Sequence, residues 1–307
     1  MELVIIRGGL RRILPRLALA VALFALTGCT ALRLGYNNGP LLAWWWIDGY
    51  ADFNREQAPQ VRGAIDRWFD WHRSTQLPEY LPLLQAWQQA SPRDLTPEQA
   101  CRWAADMRVK IAPSSEQALQ LGAEILPRMG SANWLALERK YVKNNDEMRE
   151  EFLQTDKSAR MEASIERAVK RFETLYGRLD EPQRRAIREQ VLESPFDPEG
   201  WLQERARRQR DTLATLKRLS AEPRAEARVA GLRLLAGRSE RADDPAYRAY
   251  QQKLEAYNCN FMAKVHNSTT PRQRAKARDT LKGWEDDLRA LIASQPPAAA
   301  GNPATSP

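Results

Sequence analysis

The chain has 307 residues, with 47 Lys or Arg against 39 Asp or Glu, three cysteines and two histidines. Apolar residues make up 43% of it, too many for a disordered chain and enough for a sizeable core. The net charge of +8 belongs partly to one end, because residues 1–28 hold four arginines and Glu2, which leaves +5 downstream.

At the N-terminus, Arg7, Arg11, Arg12 and Arg16 precede the apolar run Leu17–Leu26, which ends in small residues before Cys29. Such a run covers about half of the ~20 residues that span a bilayer, so residues 1–28 read as a cleaved export signal. Leu26-Thr27-Gly28-Cys29 resembles the lipobox of bacterial lipoproteins. The resemblance implies that Cys29 is the first mature residue, with a diacylglyceryl thioether on its sulfur and an acyl group on its amine. Two or three acyl chains hold a protein where one lets it leave. Thr30 stands where an aspartate would, by resemblance to the enterobacterial sorting rule, retain the protein in the inner membrane. The implied address is the periplasmic face of the outer membrane. The partners within reach are that membrane, through the anchor, and other envelope proteins; nucleic acid is not among them.

An oxidising compartment changes the reading of the cysteines. With Cys29 acylated, Cys101 and Cys259 form an even pair. A bridge between them closes a long loop, for which chain entropy gives an upper figure of about 5 kcal/mol. The alternative is two thiols packed as small apolar residues.

Residues 29–44 read as a lipidated tether, since Gly35, Asn37, Asn38, Gly39 and Pro40 break regular structure. Trp44, Trp45 and Trp46 stand close behind the anchor and are membrane-contact candidates. Three consecutive helical residues point in three directions, so at least one of them is expected to face the core.

Residues 45–293 read as one helical domain. Asn54 and Gln57 form a capping box, followed by Val61, Ile65, Trp68, Phe69 and His72 at helical spacing, with an end predicted at Ser74–Pro78. Ser131 is the predicted cap of a helix carrying Trp134, Leu137, Tyr141, Asn145, Met148 and Phe152. Further stripes run through Met161–Tyr176, Leu202–Leu216, Tyr247–Val265 and Ala277–Leu291. No stretch alternates with period two, so the expected fold is all-α, an elongated multi-helix antiparallel bundle. Pro195, Pro198, Pro223 and Pro245 punctuate helices, with a soft boundary near Ser194–Pro198. Residues 294–307, rich in Pro and Ala, read as a disordered tail. Residues 201–241 carry eleven Arg or Lys against five Asp or Glu, which reads as a solvated helix face or as a site for anionic envelope partners.

One short pattern recurs. Leu95-Thr96-Pro97-Glu98-Gln99, Leu179-Asp180-Glu181-Pro182-Gln183 and Thr269-Thr270-Pro271-Arg272-Gln273 each place a capping residue three before a glutamine. Proline fits in the first turn because its missing N–H has no helical partner there. The spacings of 84 and 90 residues exceed any standard helical solenoid repeat. These motifs resemble the L-T-x-x-Q signature of the periplasmic Spy/CpxP stress proteins, which are shorter helical cradles, in one case a chaperone. A longer resemblance, carried by Trp45–Gln57, Trp71-His72-Arg73, Leu77-Pro78-Glu79-Tyr80 and His266–Arg274, is to a family of uncharacterised proteobacterial lipoproteins. It implies an anchored helical protein and supplies no activity.

Enzyme signatures are absent: there is no H-E-x-x-H, no G-x-S-x-G and no phosphate-cradling glycine loop. No cofactor or metal site is expected. His72 falls on an apolar stripe and reads as a core histidine; His266 is about two turns from Cys259, too far for contact. Asp48/Asp52, Asp66/Asp70 and Glu147/Glu151 are carboxylate pairs one turn apart, with nothing to select one. The expectation is a non-enzymatic envelope module that binds proteins in a chaperone-like way. The alternatives are a structural or lipid-contacting module and, last, a hydrolase of cell-wall or lipid substrates.

Overall fold

A computed structural model describes residues 31–294. Cys29 and the tail beyond Ser294 lie outside them. All regular structure among the described residues is helical: α1 Ala31–Asn37, α2 Gly39–Ala51, α3 Ala58–Trp71, α4 Leu77–Ala90, α5 Pro97–Ile125 and α6 Ser131–Phe152. The second half continues with α7 Lys157–Tyr176, α8 Glu181–Leu192, α9 Pro198–Ser220, α10 Ala225–Glu240, α11 Pro245–Ser268 and α12 Pro271–Ala293. No helix among them is long and apolar enough to cross a membrane.

The long helix α5 links two groups of helices. Its C-terminal half packs with α6, α9 and α10 around Ala123, Leu126, Trp134, Leu137, Leu219, Leu232 and Leu235. Its N-terminal half lies on α11, where Leu95, Ala100, Cys259 and Ala263 meet. Beyond that contact α7, α8, α11 and α12 close over Ile165, Val169, Tyr176, Ile187, Val265 and Ala277. Helix α4 lies along α12 through Leu77, Leu84, Leu281, Leu288 and Leu291. Full burial of a side chain such as Ile187 contributes about 1.5–3 kcal/mol. Gly231 lets α10 approach α9 closely, since a Cβ there would stand 2.5 Å from Leu219 Cδ2.

Four expectations need correction. Residues 31–44 are not a tether: α1 and α2 are helices, broken only at Asn38, with Pro40 in the first turn of α2, where proline is tolerated. Tertiary contacts hold them, including Tyr36 edge-on to Phe69 and an Arg33–Asp287 ion pair at 3.2 Å. Trp44 is 7% exposed and packs with Val61 and Ile65, so it leaves the list of membrane-contact candidates. The helix from Ala58 does not end at Ser74–Pro78 but passes through a π-turn, His72–Gln76, into α4. Ser74 and Thr75 hydroxyls donate to the Asp70 and Trp71 carbonyls there, Leu77 N–H donates to the His72 carbonyl, and Pro78, which has no N–H, falls in the first turn of α4. At Ser131 the cap is one residue earlier, at Gly130, whose N–H donates to Asn133 Oδ1 at 2.8 Å.

The basic stretch 201–241 is largely engaged within the molecule. Arg207 and Arg208 hold Glu204, Arg238 holds Asp211, Lys217 reaches Glu138, and Arg233 binds Glu116. Arg228 is buried and donates to the carbonyls of Ala123, Glu222 and Pro223.

Candidate functional site

The three recurring motifs form true capping boxes at the starts of α5, α8 and α12. Thr96 Oγ1 accepts from Gln99 N–H at 3.2 Å while Gln99 Oε1 accepts from Thr96 N–H at 2.8 Å. Asp180 with Gln183 and Thr270 with Gln273 repeat both bonds. Each box satisfies donors that a helix start leaves open.

Tertiary structure brings the three boxes together. Gln183 Nε2 donates to Gln273 Oε1 at 2.7 Å, and Gln273 Nε2 donates back to Gln183 Oε1 at 2.8 Å. Each amide also reaches the chain ahead of the other box, Gln183 to the Ser268 carbonyl and Gln273 to the Arg178 carbonyl. The first box joins through its neighbour: Asn267 accepts from Leu95 N–H at 2.8 Å and donates to the Leu95 carbonyl at 3.0 Å. Arg274 closes the junction on Asp94 and the Pro92 carbonyl. Below the turns Tyr176 Oη donates to His266 Nδ1 at 2.8 Å, and His266 Nε2 donates to the Arg93 carbonyl at 2.7 Å. These bonds require neutral His266, and burial pulls its imidazole down, opposed by the Arg93 carbonyl. Burial pushes the Tyr176 phenol up.

Beside this junction is a groove of about 420 Å³ between α4, α5, α7, α11 and α12. Its wall is mostly Trp87, Trp103, Met107, Leu175, Met262 and Trp284, with Trp87 and Trp103 centroids 5.9 Å apart. Ser91, Arg171, Thr174 and His266 supply the polar positions. No Asp or Glu lines it, so it offers an apolar guest surface contact and one guanidinium, and no carboxylate for acid–base work. The Cys101–Cys259 disulfide, Cα–Cα 5.3 Å, ties α5 to α11 next to Trp103 and Met262.

Thr96, Gln99, Asp180, Gln183, Thr270, Gln273, Cys101 and Cys259 therefore gather where α5, α8, α11 and α12 meet. Trp44, Trp45 and Trp46 stand elsewhere, on α2. His72 lies in the core, bonded to Tyr36 Oη at 2.9 Å and stacked on Trp68, and burial pulls it down to about 4. Among the described residues no cluster of His, Cys, Asp or Glu could hold a metal ion. The groove tryptophans escaped the sequence reading because each lies on a different helix, where it looks like one more residue of an apolar stripe.

A family model described as a family of unknown function (DUF6279) matches residues 49–234. The match takes in the first two boxes and ends before the third. No curated protein and no solved structure matches the chain.

Proposed function

The chain belongs to this family of unknown function, which assigns no activity, and we propose from the geometry a non-enzymatic, chaperone-like module that binds apolar stretches of other envelope polypeptides. The observation that carries the reading is the groove: three half-exposed tryptophans and two methionines on a frame of interlocked turns and one disulfide. Methionine and tryptophan adapt to varied apolar side chains without demanding one shape, which suits a binder of unrelated segments. Arg171 at the wall can pair with an acidic flank of the guest. The L-T-x-x-Q resemblance to Spy/CpxP proteins points the same way.

The address belongs to the same proposal. Cleavage before Cys29 and acylation of its sulfur and amine would leave the domain on the periplasmic face of the outer membrane, where unfolded envelope proteins pass. Membrane fractionation of the wild type against Thr30→Asp tests the sorting, with the variant expected in the inner membrane.

The binding test uses the acylated protein in detergent micelles with a chemically unfolded client diluted into buffer. Light scattering from the client is expected to fall in proportion to added protein. No suppression at several-fold excess overturns the chaperone reading. In-cell crosslinking with mass spectrometry then identifies the guests, expected on α4, α5 and α12.

A further inference from the structure

The α1–α2 segment leaves an apolar face uncovered. Leu34, Leu41, Leu42, Trp45 and Trp46 are all exposed, the two tryptophans at 65% and 67%. Along α2, at ~100° per residue, Leu41, Leu42, Trp45 and Trp46 share an arc of about 140°, while Trp44, Ile47 and Ala51 occupy the opposite side, toward the protein. Arg33 is the only charged residue between Ala31 and Ile47, and it points back to Asp287. A helix face this apolar and uncharged is not a water-facing surface.

Chain length says what covers it. Ala31 is two residues after Cys29, and a chain spans at most ~3.5 Å per residue, so the start of α1 is held within about 7 Å of the cysteine. If Cys29 carries acyl chains, the start of α1 stays at the membrane surface, and Trp46, about 22 Å further along at 1.5 Å per residue, reaches that surface when the helices lie along it. The cations near the segment stack away from this face: Arg62 lies over the Trp44 ring at 4.4 Å and Arg73 over Tyr36 at 5.1 Å, both on the protein-facing side, and Lys140 lies over Tyr50 at 5.5 Å. An uncharged apolar stripe that ends in two indoles and starts beside an acylated cysteine fits the boundary between headgroups and acyl chains of a bilayer.

We infer that the Leu34–Leu41–Leu42–Trp45–Trp46 face lies in the bilayer interface and fixes the orientation of the whole domain on the membrane. The groove belongs to other helices, α4, α5, α7, α11 and α12, so a guest could bind there while α2 rests on lipid. The inference rests on the reading of Cys29 as a lipid anchor and is independent of the chaperone reading.

The test reconstitutes the full processed protein in phosphatidylglycerol-containing vesicles in which one lipid is brominated near the headgroup. With ten tryptophans in the chain, quenching of about a fifth of the emission is expected, and Trp45→Phe/Trp46→Phe should remove it while leaving the helical circular dichroism unchanged. Mass spectrometry of the same sample reads the acylation of Cys29. An acylated protein with no quenching, or with quenching that persists in the double variant, overturns the membrane face and leaves the anchor standing. An unacylated protein overturns the anchor; vesicle binding with quenching that the double variant loses would then still support the face, and absence of both overturns it. Crosslinked dimers through α2 without quenching assign the face to a second copy and overturn the inference.

Discussion

Gln183 and Gln273, 90 residues apart, exchange side-chain amide bonds of 2.7 and 2.8 Å while each caps its own helix. The same arrangement recurs in the other half of the fold. Gln57 Nε2 donates to Asn133 Oδ1 at 3.0 Å and Asn133 Nδ2 returns a bond to Gln57 Oε1 at 3.2 Å. Each again reaches the chain ahead of the other's box, Gln57 to the Arg128 carbonyl and Asn133 to the Ala51 carbonyl. Tyr176 and His266 are also 90 residues apart and also bond to each other, so the α7–α8 and α11–α12 hairpins face one another in matching register.

The exchange sets an order of stabilities. Gln183→Ala removes a cap and leaves the Ser268 carbonyl and a partner amide short of bonds, which costs about 2–3 kcal/mol. Gln99→Ala removes a cap alone, on an exposed turn, for about 1 kcal/mol or less. Urea unfolding should rank Gln183→Ala below Gln99→Ala. A double-mutant cycle with Gln273→Ala should show coupling of about 0.5 kcal/mol or more, and additive losses would mean that the amide exchange carries no energy.

The caps were legible in sequence because a capping box is complete within four residues. Their convergence was not, since nothing local to Asp180 or Thr270 states which turn lies opposite. The box at Gly130 was missed because glycine has no side chain to mark it, and the signal there was Asn133. The α1–α2 segment misled in the other direction: Gly35, Asn37, Asn38 and Pro40 are loop residues by local preference, and contacts of Tyr36 and Trp44 with distant helices outweigh that preference. The charge of residues 201–241 left a binding face open beside a solvated one because its partners Glu116 and Glu138 lie on other helices.

The disulfide is the second stabilising device. It closes a 158-residue separation between α5 and α11, so Cys101→Ser or reduction should lower stability by about 2–5 kcal/mol. The transition should shift together with the loss of Trp103 burial, read by its fluorescence. Peptide mapping without reductant should recover the Cys101–Cys259 pair, and two free thiols in protein isolated from its compartment would contradict the structure.

Stability should fall as pH falls below about 6.5. Burial holds His72 down to about 4 in the native state, so between these values the unfolded chain binds more protons and is favoured by acid. His266 acts in the same direction. Glu285 runs the same way at lower pH, because Gln88, Gln85 and Arg289 hold its carboxyl at about 2, and that contribution disappears only from about 4.5 downward. Denaturation midpoints measured from pH 7 to 5 therefore isolate the histidines. His72→Gln should flatten the slope in that range, and an unchanged slope would assign it elsewhere.

The groove can be closed without touching the core. Ala104 lines it on α5, is exposed, and faces the same space as Trp103 and Met107. Ala104→Trp adds a ring where a guest would lie, and an exposed helical position of this kind changes stability by only about 0.5 kcal/mol. The variant should keep the wild-type unfolding midpoint and lose most of its ability to hold an unfolded client in solution. Arg171→Glu should instead discriminate among guests, weakening acidic-flanked peptides and strengthening basic ones, as measured by fluorescence anisotropy of labelled peptides. Equal client protection by wild type and Ala104→Trp would remove the groove from the binding surface, since no other change in the molecule would offset the blocked wall.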